Sequence, residues 1–139
     1  MTKAKTLGRI HRVRTLQLGL ARAEEMRRHD ALANETALTE RIAGLAQAVA
    51  PTTEFLGIHD AQARAHYRER LHQSALAAEQ RVRLAATHVD AAAEASRAAK
   101  RDQSAVEKLL ARARAAAALR EMRAMEDVPT PAKNRHDPC

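Results

Sequence analysis

The fold is decided by residues 71–117, which read LHQSALAAEQRVRLAATHVDAAAEASRAAKRDQSAVEKLLARARAAA. Within them, fourteen positions that we call the heptad stripe recur at alternating steps of four and three residues: Leu71, Ala75, Ala78, Val82, Ala85, Val89, Ala92, Ser96, Ala99, Gln103, Val106, Leu110, Ala113 and Ala117. All but Ser96 and Gln103 are Leu, Val or Ala, and no proline or glycine interrupts the run. Because a repeat averaging 3.5 residues keeps one face turned toward a partner helix, this spacing predicts a long coiled-coil helix.

The composition of the chain also favours long helices over a compact core. Its 139 residues suggest one domain, 1–139. Phe55 and Tyr67 are the only aromatic residues, and alanine supplies much of the apolar content. A buried alanine removes little surface from water, whereas Ala, Arg, Glu, Gln and Leu are all strong helix formers.

A first helix is predicted over about 6–50. Thr6 is a candidate N-cap, and Pro51 disfavours helical backbone at Ala50. We predict two apolar stripes in this helix, offset by one residue and joined by a stutter. The stripes are Val13, Leu16, Leu20 and Ala23, then Leu38, Ile42, Leu45 and Val49.

Residues 51–60 form the predicted turn, and a second helix follows over about 58–127. Thr52, Thr53 and Asp60 are alternative N-caps for this helix, and the sequence does not choose among them. Phe55, Leu56 and Ile58 are candidates for an apolar plug that closes the turn. Pro129 and Pro131 end the helix, so residues 128–139 are predicted to be a disordered tail.

Two long helices joined by one short break predict an all-α fold, an antiparallel coiled-coil hairpin whose second helix is longer and overhanging. If Val49 lies near Ile58, Leu7 lies near Lys100. The part of the second helix after Lys100 then has no partner within the chain. An amphipathic helix end of this kind predicts a partner protein or self-association.

The charge pattern predicts one strongly positive end. The chain has 24 Lys and Arg against 17 Asp and Glu, a net charge of +7. Residues 1–23 hold six basic and no acidic residues, and residues 97–123 hold eight basic and three acidic ones. The hairpin would bring both segments together, while its turn end stays close to neutral. Such charge suits nucleic acid, an anionic membrane surface or an acidic protein face.

Sequence motifs for catalysis and for cofactor or metal binding do not occur in this chain. It contains no phosphate-binding loop, His-Glu-x-x-His, Cys-x-x-Cys or EF-hand pattern, and its adjacent carboxylates point to different helix faces. We therefore predict a protein that is not an enzyme and takes no cofactor or metal, with solvated histidines; His136 and Cys139 are the weak exception. The lone cysteine and the lack of a long apolar run predict a cytosolic protein.

Three segments resemble the FliJ/YscO family, the small coiled-coil component of flagellar and related type III export machines. The stretch Arg97-Ala-Ala-Lys100-Arg101, followed by Val106-Glu107-Lys108-Leu109-Leu110-Ala-Arg112, is similar to the family's basic second helix. Arg123-Ala-Met125-Glu126-Asp127 is similar to its closing pattern, with the acidic order reversed. The Leu- and Arg-rich opening, Leu7-Gly-Arg9-Ile10-His-Arg12-Val13-Arg14-Thr-Leu16-Gln-Leu18, is also similar to that of the family.

This resemblance implies a stalk-like partner of the export ATPase hexamer (FliI-like) that couples it to the export gate (FlhA-like) and also contacts export chaperones. It implies a cytoplasmic protein, peripheral at the inner membrane through its partners. The implied partner-binding residues are Arg97, Lys100, Arg101, Val106, Glu107, Lys108, Leu109, Leu110, Arg112, Met122 and Met125. The alternatives are a basic coiled coil associated with nucleic acid, which lacks stacking aromatics here, or a dimerising helical spacer.

Overall fold

A computed structural model describes residues 2–51 and 57–131. This part of the chain contains two α-helices and no strand: α1 (Lys3–Ala48) and α2 (Ile58–Glu126). The all-α prediction is confirmed. The ends of α2 lie within one residue of their predicted positions, and α1 begins three residues earlier than predicted.

The α1 helix begins earlier because Thr2, rather than Thr6, caps it. The backbone carbonyl of Thr2 accepts hydrogen bonds from the backbone N–H of Lys5 at 3.0 Å and of Thr6 at 3.3 Å. Thr6 therefore lies inside the helix, and its prediction as N-cap is wrong. At its other end, α1 stops at Ala48. This is two residues before Ala50, the residue whose helical backbone Pro51 disfavours.

The α2 helix begins at Ile58, with the carbonyl of Gly57 accepting from the N–H of Ala61 at 3.0 Å. Asp60 lies in the first turn, where its charge favours the positive end of the helix dipole, so it is not the cap. Ile58 is 78% exposed and does not close the turn. The other predicted caps and plug residues, and the predicted tail over 132–139, lie outside the described residues.

The heptad stripe is the packed face of α2. Each of its fourteen residues is buried or half-buried. Ala78 is completely buried, and Leu71 and Leu110 are 7% and 6% exposed. The predicted periodicity therefore identifies the inward face of α2 correctly, including the polar positions Ser96 and Gln103.

The first predicted stripe of α1 is wrong, because its residues face solvent: Leu16 is 69% and Leu20 71% exposed. Most shielded positions of α1 instead recur at steps of three and four residues in one register, without a stutter: Ala4, Leu7, His11, Arg14, Leu18, Ala21, Glu25, then, one heptad later, Leu32, Glu35, Thr39, Ile42 and Ala46. The intervening stripe position, Arg28, is exposed. A continuous stripe on α2 requires a continuous stripe opposite it. Long polar side chains satisfy this requirement by burying their stems while their charged ends reach water.

The chain divides into two compact units. Unit 1 combines Met1–Leu16 with Arg101–Cys139, and unit 2 is Gln17–Lys100. In unit 1, Arg14 contacts Asp102 at 3.3 Å, and the side-chain amide of Gln103 donates to the Thr15 hydroxyl at 3.2 Å. Leu7 lines a groove together with Leu109. Within unit 1, the two helical segments therefore run antiparallel.

Unit 1 overturns the predicted overhang beyond Lys100. We predicted Leu7 beside Lys100, but Leu7 shares its groove with Leu109 and Ala113, about ten residues further along. The reason lies at the start of α2, where residues 57–67 are all exposed. Pairing begins only after these first turns. The part of α2 that follows Lys100 is consequently packed with the beginning of α1, and an uninterrupted run of exposed residues begins only at 118.

Unit 2 contains the most completely buried side chains. Leu18 is 4% exposed and Ala78 is not exposed at all. The Nε of Arg81 lies 3.1 Å from a carboxylate oxygen of Glu35, joining α1 to α2 at the edge of this unit. With one side chain more than a third exposed, such a pair contributes at most about 1 kcal/mol, so apolar packing dominates.

Candidate partner-binding surface

Unit 1 holds the whole net charge of the protein. Its residues include 13 basic and 6 acidic side chains, a net charge of +7, whereas unit 2 has 11 of each and is neutral. The two basic segments recognised in the sequence, near the start of α1 and after residue 100 of α2, belong to this one unit. An anionic partner is therefore attracted to unit 1 rather than to unit 2.

An open, largely apolar groove of about 860 Å³, which we call the alanine groove, lies in unit 1. Its lining residues are Thr2, Lys3, Ala4, Leu7, Leu109, Arg112, Ala113, Ala116, Ala117, Arg120 and Glu121. The groove exists because α1 begins here and because α2 carries a run of alanines, whose methyl groups leave unfilled the space that larger side chains would occupy.

A second groove in unit 1, which we call the cationic groove, measures about 480 Å³ and is lined by Ala4, Lys5, Gly8, Arg9, Arg12 and Arg114. Lys5, Arg9 and Arg12 share one face of α1 because they are spaced by four and three residues. Gly8 has no side chain, and a Cβ there would meet nothing within 4 Å, so the groove is open to solvent at this position. None of the described residues that line this groove is a carboxylate, so its surface favours anions.

The residues predicted to bind a partner separate into three groups. Val106 and Leu110 belong to the heptad stripe and are half-buried and buried, so an intact helix pair does not offer them to a partner. Arg97 and Lys100 lie in unit 2, where Arg97 pairs with Glu94 at 3.0 Å. The exposed ones in unit 1 are Arg101, Glu107, Lys108, Leu109, Arg112, Met122 and Met125.

Sequence reasoning missed the cationic groove and the alanine groove. The spacing of Lys5, Arg9 and Arg12 is visible in the sequence and signals a basic face. The position of Arg114 beside them, however, depends on the pairing register, which the sequence did not give correctly. Leu119, 48% exposed, was also left out of the predicted binding residues although it lies one turn before Met122.

In unit 2, the Glu24 carboxylate accepts hydrogen bonds from the side chains of Arg27 and Arg28. The hydrogen bond from Arg27 is the main cause that holds the pKa of the Glu24 carboxyl below its ordinary value, and Arg28 adds to the effect. The described residues contain no cluster of three potential metal ligands; His136 and Cys139 lie outside them. None of the described helices combines the length and apolarity needed to cross a bilayer.

Comparison with known proteins adds no relative. Neither family models, nor curated proteins, nor solved structures match this chain. The likeness to the FliJ/YscO family therefore rests on the residues quoted above. Those in Val106–Arg112 and in the closing Arg123–Asp127 segment all lie in unit 1.

Proposed function

We propose that this chain is a non-enzymatic, antiparallel coiled-coil hairpin that binds a partner protein through unit 1. The observation that carries the proposal is the coincidence, in unit 1, of a net charge of +7 with exposed apolar side chains. Met122 is 60% and Met125 73% exposed, and Leu109 and Leu119 are about half exposed. Methionine and arginine are enriched in protein–protein interfaces, and such mixed surfaces favour a protein partner over bulk solvent.

The specific role that we propose is a stalk-like component of a flagellar or type III export apparatus. The resemblance of the segments around Arg97–Asp127 and Leu7–Leu18 to the FliJ/YscO family supports this role. The partners would be an export ATPase (FliI-like), an export gate (FlhA-like) and export chaperones. The protein would then work at the cytoplasmic face of the inner membrane, held there by its partners.

In this role the chain itself performs no bond-breaking chemistry. Basic residues of unit 1 would speed encounter with an acidic partner surface, and the exposed leucines and methionines would supply affinity after contact. ATP hydrolysis would belong to the partner. The chain would influence it only by binding one conformation of the ATPase more tightly than another.

Two other functions remain as alternatives. Association with nucleic acid is favoured by the charge of unit 1, but both aromatic residues of the chain, Phe55 and Tyr67, fall in unit 2, so unit 1 has no stacking platform. Pairing of two copies through unit 1 would bring together two surfaces of +7, which repel each other. Both observations favour a different, acidic protein partner.

Copurification with the export ATPase of the same organism tests the role. The proposal expects the full chain to sediment as a monomer, to bind the ATPase and to raise its hydrolysis rate. Absence of both binding and stimulation would reject the stalk role. Duplex DNA is titrated in parallel, since tight binding with a steep loss on raising salt would favour the nucleic-acid alternative.

A further inference from the structure

We propose that the alanine groove of unit 1 is the docking site for an acidic amphipathic helix of a partner protein. The inference rests on the function proposed above, because it specifies which kind of segment unit 1 binds. The cationic groove, which shares Ala4 with the alanine groove, serves as the control site in the same unit.

The apolar lining of the groove suits a helix. Leu7 and Leu109 provide larger apolar side chains, while Ala113, Ala116 and Ala117 provide small ones. Small side chains allow two helix axes to approach to about 8 Å, the short end of the usual range. An incoming helix with leucines at steps of three and four residues would fill the groove and add a third helix to the pair.

The charged side chains of the groove select an acidic helix. Of the residues that the structure describes, Lys3, Arg112 and Arg120 line it together with one carboxylate, Glu121. Among the described residues, neither Lys3 nor Arg112 makes an ion pair, and the Arg120 Nε donates to the backbone carbonyl of Ala116 at 3.3 Å. Arginine binds carboxylates with two parallel hydrogen bonds, so glutamates flanking the apolar stripe of the partner match these positions. Glu121 sets the orientation of the bound helix, because it favours a basic residue of the partner at the end of the groove where Glu121 lies.

The other occupants fit less well. A second copy of this chain would present another unit 1 of net charge +7. A nucleic-acid duplex stacks its base faces on one another, so it offers no apolar face to cover Leu7, Leu109 and the alanines. It would use the cationic groove instead, where Lys5, Arg9, Arg12 and Arg114 offer charge without an apolar lining.

Filling the groove provides the first test. The probe is a fluorescent helical peptide of three heptads, roughly 21 residues, with leucine at the a and d positions and glutamate beside them. We expect Ala116→Trp to weaken its binding to the full chain by about tenfold or more, because the indole would occupy the groove. The matched control is Ala115→Trp, on the adjacent exposed position outside the groove, which should change binding by less than about twofold.

Charge reversal provides the second test. Arg112→Glu should weaken binding by about fivefold or more, whereas Arg114→Glu, an equal charge change in the same unit but in the cationic groove, should have a much smaller effect. A peptide with glutamine in place of glutamate should bind more weakly than the acidic peptide.

Either of two results with the peptide would overturn the groove assignment: unchanged binding to Ala116→Trp, or equal losses for Arg112→Glu and Arg114→Glu. A third is duplex DNA that binds more tightly than the acidic peptide at about 150 mM salt and loses this binding in Arg112→Glu rather than in Arg114→Glu. The stalk role is judged separately. If the export ATPase binds wild type and Ala116→Trp equally, the groove assignment fails and the role stands. If the peptide behaves as expected but the ATPase does not bind, the role fails and the groove stands.

Discussion

Arg14 and Asp102 contact each other at 3.3 Å in unit 1, although 88 residues separate them in the sequence. The neighbouring hydrogen bond from Gln103 to Thr15 sets the same alignment. Both side chains of the ion pair are about half exposed, so its contribution to stability is at most about 1 kcal/mol. Its importance is positional, because this alignment places the first basic turns of α1 beside the basic part of α2 that follows residue 100.

Disulfide formation tests this alignment. In a Cys139→Ser background, Arg14→Cys and Gln103→Cys should form a disulfide under mild oxidation, because these stripe positions face each other beside the two observed contacts. Leu110→Cys, one heptad or about 10 Å further along α2, should not pair with Arg14→Cys. Preferential formation of the second disulfide, measured by mass spectrometry, would contradict the alignment.

Two leucines in the first half of α1 distinguish its buried face from its exposed face. Leu18 is 4% and Leu16 69% exposed, although only one residue, Gln17, lies between them. We expect Leu18→Ala to lower the free energy of unfolding by about 2–3 kcal/mol, since it leaves a cavity in the packed face. The control, Leu16→Ala, should change it by less than about 0.5 kcal/mol. Urea denaturation measures both, and equal effects would refute the face assignment.

The sequence predicted α2 better than α1, for a physical reason. The fourteen stripe positions of α2 are mostly Leu, Val and Ala, so apolarity and burial coincide. On α1, the packed face includes His11, Arg14 and Glu35, while Leu16 and Leu20 face solvent. Apolarity alone therefore pointed to the wrong face. The alanine groove could not be predicted either, because it depends on where α1 begins and on how far α2 extends before pairing starts.

Two helical glycines provide a test of backbone stability. A Cβ placed on Gly19 or Gly44 would meet nothing within 4 Å, and neither residue has a positive φ. Because glycine is a poor helix former, Gly19→Ala and Gly44→Ala should each raise the free energy of unfolding by about 0.5–1 kcal/mol. Thermal unfolding followed by circular dichroism measures the effect. A loss of stability in either variant would show that its position is more crowded than described.

Glu24 predicts a pH dependence in unit 2. Its pKa is lowered by the hydrogen bond from Arg27 and by Arg28, so the folded state favours the ionised carboxylate. The stabilisation is therefore present above the ordinary pKa of about 4.5 and is lost as the pH falls through the lower, folded-state pKa. A carbon-13 NMR titration should show Glu24 ionising at lower pH than it does in the Arg27→Gln, Arg28→Gln variant. Coincident titration curves in the two proteins would contradict the assignment.

Binding of the export ATPase to two charge-matched variants tests the central claim, that unit 1 is the partner-binding end, most directly. Lys108→Glu with Arg123→Glu alters exposed residues of unit 1 outside both grooves, and Arg64→Glu with Arg70→Glu makes the same charge change at exposed residues of unit 2. We expect the first variant to lose affinity by about tenfold or more and the second to stay within about twofold of wild type. Equal affinity of the two variants, or a larger loss from the unit 2 variant, would contradict it.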